Sequence, residues 1–227
     1  MGVLIQELEG GDDADRATAV MLRVLVEPIN PTSSVEGTRA ALESAGLHVD
    51  ASDPVSVLRY ERARAALAWL AGDEVESHDA LLRAYQIARS LGRRDLLRDV
   101  ILPLIGSAWF SVSASETLEL MDDIEGWLGD KAGPLLSASL QDARGFTEYL
   151  AGLISAEEKR SQSHRYIEML QQTGSHLEAI HILDELSFVA WVEGDLQSGN
   201  RSNKGPSRSS SGSATATISS TNSLRRR

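Results

Sequence analysis

The chain has 227 residues, of which 42% are hydrophobic and 24% are charged, a composition typical of a soluble folded protein of one or two domains. It contains no cysteine, which excludes disulfides and thiolate metal sites. Residues 1–197 hold all 33 acidic residues and 16 of the 22 basic ones, a net charge of −17. This part should not bind nucleic acid, because affinity for phosphates comes mainly from Lys and Arg.

The start of the chain, "MGVLIQELEGGDD", has neither a basic leader nor an apolar stretch long enough for a signal peptide. No later stretch reaches the roughly 18 uninterrupted apolar residues that a membrane-spanning helix needs. We therefore expect a cytoplasmic protein without a membrane partner. Because the opening is short and apolar for a polar cap, we also expect that sequence is missing before Met1.

Apolar residues recur at steps of three and four, as in Tyr60, Ala63, Leu67 and Leu70, which indicates amphipathic helices almost throughout. Gly or Asp residues punctuate these runs and are suited to end one helix or begin the next. The pattern predicts helices over residues 13–27, 33–46, 54–71, 75–91, 94–110, 115–128, 135–151, 155–172 and 176–193.

A repeat runs through these helices. The phrase "AWLAGDEVE" at 68–76 returns as "AWVEGDLQ" at 190–197, and Trp69, Trp109 and Tyr149 follow one another at intervals of 40 residues, with Trp191 another 42 on. Paired helices at such a period predict stacked hairpins, each completing the core of its neighbour. The predicted fold is an all-α solenoid of about four and a half antiparallel helical hairpins.

Each repeated aromatic residue lies near the end of the first helix of a hairpin, and we expect these rings to pack in the core rather than to stack on a ligand. Glycines mark the turns that follow. The positions that we expect to build the repeat are Trp69, Gly72, Leu81, Ala84, Ala88, Trp109, Tyr149, Gly152, Trp191 and Gly194.

The segment "AGDEVESHDALLRAYQIARSLGR", residues 71–93, resembles a tetratricopeptide repeat, with Gly72 and Asp73 at the turn, Leu81 at the large apolar position and Ala84 at the small one. Ser77 departs from the usual alanine, and the period exceeds the usual 34 residues. Lengthened repeats of this kind resemble those of bacterial multidomain signalling ATPases: class III adenylate or guanylate cyclases with an AAA-type ATPase, and LuxR-type or MalT-like transcriptional regulators. The resemblance covers about residues 13–197.

The resemblance implies a regulatory role in signal transduction, in which the repeats bind a protein partner or sense a small-molecule inducer. The active domains of such proteins are missing from the sequence, which has no G-x-x-x-x-G-K-[ST] phosphate loop, cyclase core or basic helix-turn-helix. We therefore expect a non-catalytic scaffold without a cofactor. The alternative is a fragment of an ATP-dependent adenylate cyclase or a LuxR-type regulator whose catalytic and DNA-binding domains lie elsewhere.

Few residues suggest chemistry. His181 and Glu185 have a usable spacing for a metal but lack a third ligand, while His48, His78 and His164 are isolated and expected to be exposed. Asp12 and Asp13 are expected to cap a helix rather than to form an acid–base pair. The first helices of the hairpins should line a concave face, where the candidate binding residues are Arg59, Arg62, Arg98 and Asp142.

The helical pattern stops after Gln197, where the repeat would call for another helix. Residues 198–227 are rich in Ser and Arg, contain six basic residues and no acidic one, and are expected to be a disordered tail after the repeat domain of residues 1–197. A frameshift would explain the abrupt change, and a natural flexible tail is the alternative. If the last hairpin is incomplete, its exposed apolar face favours self-association.

Overall fold

The computed structural model describes residues 2–26, 34–93, 98–172 and 176–194. Within these ranges the chain is all-α and has no β-strand. The α-helices, in chain order, are α1 (Gly2–Glu9), α2 (Asp13–Val26), α3 (Val35–Gly46), α4 (Pro54–Ala71), α5 (Glu74–Ser90), α6 (Arg98–Ser111), α7 (Ala114–Leu128), α8 (Gly133–Leu150), α9 (Ala156–Gln172) and α10 (His176–Val192).

Short polar side chains set the starts of several helices by accepting hydrogen bonds from backbone N–H groups that have no partner within the helix. Asp53 caps α4, which carries Pro54 in its first turn, and Asp73 caps α5. Ser113 and Glu116 form a reciprocal capping box at the start of α7. These local signals explain why the predicted boundaries of these helices lie close to the observed ones.

Glycines with positive φ end three helices at the repeat positions. Gly72, Gly152 and Gly194 have φ values of 75°, 71° and 76°, a left-handed conformation that other residues rarely adopt. Gly72 is the C-cap of α4, and its N–H donates to the last turn of that helix. The chain can therefore reverse within two residues, so that α5 begins at Glu74 and packs against α4.

Each helix from α1 to α9 packs against the next helix along the chain. Some alternate helices also contact each other: α2 packs on α4, α6 on α8, and α8 on α10. The main core lies among α4 to α8, where Ala84, Ala88, Ile101 and Ile105 are fully buried and Leu81 is nearly so. The small alanines allow α5 to approach its neighbours closely.

All nine predicted helices have a counterpart in the structure. The first helix, α1, was not predicted, and Ile5 on it is buried although α1 has only eight residues. The sequence predicts a helix over residues 94–110, which corresponds to α6. Its first four residues, 94–97, lie outside the described residues. So does everything after Gly194, including the predicted domain boundary at residue 197 and the basic tail.

No helix in the described ranges combines the length and the hydropathy required to cross a lipid bilayer.

Candidate functional site

A groove with a volume of about 680 Å³ lies on one side of the molecule, and mainly every second helix contributes to its walls. Its walls come mainly from α4, α6, α8 and α10, with one residue of α2 and two of α5. Most of the lining is apolar. The lining residues are Leu25, Arg62, Ala65, Ala66, Trp69, Leu70, Ser77, Leu81, Asp99, Pro103, Gly106, Ser107, Trp109, Phe110, Phe146, Leu150, Glu185 and Phe188.

Aromatic rings pack edge to face along this groove. The ring centroids of Trp69 and Phe110 are 5.4 Å apart, those of Trp109 and Phe146 are 4.6 Å apart, and those of Phe146 and Phe188 are 5.8 Å apart. Edge-to-face pairs at these distances are favourable and hold the rings in defined orientations. The groove therefore presents a fixed aromatic surface that joins four helices.

The expectation that all four repeated aromatic residues pack in the core is wrong for two of them. Trp69 is 47% exposed and Trp191 is 64% exposed. Trp69 lies on the groove side of α4, where the neighbouring helices leave open space instead of a covering layer. Trp109 and Tyr149 are half-buried, and Trp109 donates a hydrogen bond of 2.9 Å from Nε1 to Oγ1 of Thr147.

A pair of opposite charges lines the groove. Arg62, which was expected on the concave face, lines the groove, and its Nη1 lies 3.5 Å from Oδ2 of Asp99. Burial lowers the pKa of Arg62, and the neighbouring Asp99 opposes that shift. Arg59 is exposed on the same helix but lies outside the lining, and the side chain of Arg98 lies outside the described residues.

Asp142 was also expected on the concave face, and the structure contradicts this: its side chain is 3% exposed and faces α9. Nζ of Lys159 donates to Oδ1 of Asp142 at 2.8 Å and to its carbonyl oxygen at 3.0 Å. Ser163 donates from Oγ to the same carboxylate at 2.8 Å. Asp142 is buried because these donors replace its hydration.

Glu185 connects this buried network to the groove. Nζ of Lys159 donates to Oε2 of Glu185 at 3.0 Å, and the Glu185 side chain also lines the groove. Burial, reinforced by the negative charge of Asp142 and opposed by Lys159, raises the pKa of Glu185 to about 8. Two carboxylates thus share one ammonium at the wall of an apolar groove.

The periodicity of α9 indicates part of this network, although the net charge of the chain does not. On α9 the buried side chains are Ala156, Lys159, Ser163, Ile167 and Leu170, which follow one another at steps of three and four. Lys159 therefore occupies a core position of an amphipathic helix, where a lysine requires a buried partner. That partner, Asp142, lies 17 residues earlier on another helix, and periodicity alone does not identify it.

His78 was expected to be exposed, but it is buried beside the groove, and its Nδ1 lies 3.1 Å from Oγ of Ser107. Burial lowers the pKa of His78, which favours the neutral ring. His48 and His164 are exposed as expected. Among the described residues no group of three or more His, Asp or Glu side chains is arranged to hold a metal ion.

A second, smaller cavity of about 280 Å³ lies between α3, α4 and α5 and is mainly polar. Several of its charged side chains already have partners. Glu61, next to this cavity, accepts hydrogen bonds from Arg64 at 3.2 Å and from Arg83 at 3.0 Å, and Arg64 also pairs with Glu76. The aromatic groove is therefore the stronger candidate for a binding site.

Comparisons of the chain with protein-family models, curated proteins and solved structures found no match.

Proposed function

We propose that the chain is a non-catalytic helical scaffold whose aromatic groove binds a ligand or a segment of a protein partner. The observation that carries this proposal is the groove itself, which is large and mainly apolar and which keeps Trp69, Phe110 and Phe188 accessible to solvent. Pockets of about 300–1,000 Å³ with apolar walls and a few polar groups are typical of small-molecule sites. Exposed aromatic residues are also typical anchors in protein interfaces.

The helix order supports a solenoid of tetratricopeptide-like hairpins as the architecture of this scaffold. Consecutive helices pack against each other, and the groove draws its walls mainly from every second helix, as the concave face of such an array does. Leu81, Ala84 and Ala88, the positions that carry the resemblance on α5, are buried. In this proposal the groove is the concave face of the array.

The proposed role is regulatory, as part of a bacterial signal-transduction protein in which occupancy of the groove controls another domain or protein. The alternative is that the chain is a fragment of an ATP-dependent cyclase or of a LuxR-type regulator. In both cases the ligand or partner binds in the groove, and any catalytic domain lies outside residues 2–194. Sequencing the gene with its flanking DNA separates them, because a fragment would continue into a frame that encodes an ATPase or cyclase domain.

Filling the groove tests the proposed binding site directly. A Cβ atom at Gly106 would meet nothing within 4 Å, and Gly106 lines the groove, so Gly106→Leu should place a side chain in it without disturbing the helix. Gly126 on α7 offers a matched control, since a Cβ there also meets nothing within 4 Å and the residue lies outside the groove lining. The measurement is fluorescence titration with the neutral apolar dye Nile red.

We expect saturable binding to the wild type and to Gly126→Leu, and at least tenfold weaker binding to Gly106→Leu. Circular dichroism should show the same helix content for all three proteins. Equal dye binding by Gly106→Leu and Gly126→Leu would show that the apolar ligand binds elsewhere and would refute the groove as the binding site.

A further inference from the structure

We propose that the groove, if it is the binding site suggested above, is selective for a small organic cation with an apolar body, whose charged group lies between the carboxylate of Glu185 and the ring of Phe188. The ligand class is a hydrophobic amine or quaternary ammonium compound. The inference goes beyond the proposed binding role, because it assigns the charge of the ligand and the residues that recognise it.

The first argument is the charge balance at the groove wall. Asp142 and Glu185 together carry two carboxylates, while Lys159 supplies one ammonium, whose three donated hydrogen bonds all go to these two residues. When Glu185 is ionised, this network lacks a second positive charge, whereas below about pH 8 the proton on Glu185 takes that place. A cationic ligand that enters the groove at Glu185 would supply that charge at a site where the low dielectric strengthens the attraction.

The second argument is the aromatic wall beside Glu185. Phe188 lies one helical turn after Glu185 on α10, lines the same groove and is 41% exposed. The structure already places one cation against this aromatic cluster, since Nζ of Lys159 lies 5.6 Å from the centroid of the Phe146 ring. A ligand cation against Phe188 would use the same attraction between a positive charge and the face of an aromatic ring.

Among the described residues, the groove offers no equivalent place for an anion. Its basic lining residue is Arg62, which already pairs with Asp99 at 3.5 Å. The strong excess of acidic residues in positions 1–197 also attracts cations at long range and repels anions. Charge complementarity therefore favours a cationic ligand over an anionic amphiphile of the same size.

The affinity of the groove for a cationic ligand should depend on pH. The charged groups that face Glu185 are Asp142 on α8 and Lys159 on α9, and together with burial they raise the pKa of Glu185 to about 8. Below that pH a cation must displace the proton from Glu185, so its affinity should rise by about tenfold per pH unit at most and level off above pH 8. A neutral ligand should show no such rise.

The test uses three probes with the same phenylhexyl body: 6-phenylhexyltrimethylammonium, 6-phenylhexanol and 7-phenylheptanoate. Isothermal titration calorimetry with the full chain between pH 6 and pH 9 measures the affinity for each probe. The variants are Glu185→Gln, which removes the charge at nearly constant shape, and Phe188→Leu, which keeps an apolar side chain but removes the ring. Gly126→Leu is the control.

We expect the cation to bind at least tenfold more tightly than the alcohol at pH 8, and the acid to bind most weakly. Glu185→Gln should abolish the pH dependence and most of the preference for the cation, and Phe188→Leu should reduce the preference severalfold while leaving the affinity for the alcohol nearly unchanged. Tighter binding of the alcohol or the acid than of the cation would overturn the proposal and leave the binding role of the groove intact. Absence of binding by all three probes would also overturn it, whereas the Nile red comparison tests the binding role itself.

Discussion

Nζ of Lys159 lies 2.8 Å from Oδ1 of Asp142, and both side chains are almost completely buried, with 0% and 3% of their surface exposed. The pair joins α8 to α9, and a further hydrogen bond of 3.0 Å from Lys159 to Glu185 joins α9 to α10. A buried ion pair adds little net stability compared with apolar residues of the same shape, but removal of one partner is costly. Together these contacts of Lys159 fix how α8, α9 and α10 fit together.

Lys159→Met should destabilise the protein by about 3–5 kcal/mol, because it leaves the Asp142 carboxylate buried without a counter-charge. Urea denaturation followed by circular dichroism measures the free energy of unfolding. The double variant Lys159→Met with Asp142→Asn should recover a large part of the loss, since the uncompensated charge is then absent. If the single and double variants are equally destabilised, the loss is one of packing rather than of charge.

The raised pKa of Glu185 should make stability depend on pH. Its pKa is about 8 in the folded protein and near the ordinary glutamate value of 4.5 in the unfolded chain, so the folded state binds more protons between these values. The contribution of Glu185 is therefore complete below about pH 4.5 and is lost as the pH rises through 8, with a slope of at most about 1.4 kcal/mol per pH unit. Other titratable groups add their own contributions to the pH dependence of the free energy of unfolding.

Glu185→Gln separates this contribution from the others. The variant should match the wild type near pH 5 and become more stable than the wild type near pH 9, because the neutral amide resembles the protonated acid and never ionises. Thermal unfolding at matched ionic strength across this range provides the comparison. Parallel curves for the two proteins would show that Glu185 does not titrate in the predicted window.

Two glycines should respond to the same substitution with opposite signs. Gly72 has a φ of 75°, so Gly72→Ala forces a left-handed conformation on alanine and should cost about 1 kcal/mol. Gly126 lies within α7 with open space around the position of a Cβ atom, so Gly126→Ala should stabilise by up to about 1 kcal/mol. Chemical denaturation of both variants gives the two signs directly, and a Gly72→Ala variant at least as stable as the wild type would contradict the assigned role of Gly72 as a C-cap.

Local signals explain which parts of the fold were predictable. Asp53 with Pro54, Asp73 and Gly72 act on their immediate neighbours, so their effect on helix boundaries can be read from a short window of sequence. Helix α1 was missed because an eight-residue helix depends on tertiary burial, here of Ile5, rather than on its own propensity.

The candidate site was less predictable, because it depends on contacts between distant helices. The sequence predicts Arg62 on the concave face, and Arg62 lines the groove, but the repeat pattern does not mark Phe110, Phe146 and Phe188 as lining residues. Each contributes to a surface that exists only when α6, α8 and α10 are adjacent. Asp142 was placed on the wrong surface for the same reason, since its burial requires Lys159 on another helix.

Two of the three tryptophans at equivalent repeat positions, Trp69 and Trp109, should differ in what they contribute to stability. Trp109 is half-buried, donates a hydrogen bond to Thr147 and packs at 4.6 Å against Phe146, so Trp109→Leu should cost about 2–4 kcal/mol of stability. Trp69 is 47% exposed, and its ring centroid lies 5.4 Å from that of Phe110. Trp69→Leu should therefore lower the free energy of unfolding by about 1 kcal/mol or less.

Binding should show a different pattern. Trp69→Leu should weaken Nile red binding severalfold at nearly unchanged stability, because it removes a ring from the wall of the groove. Chemical denaturation and dye titration of the same two preparations measure both effects. A large loss of stability in Trp69→Leu would restore the packing role that the periodicity indicates, whereas a selective loss of binding supports the groove as the place where this repeat position acts.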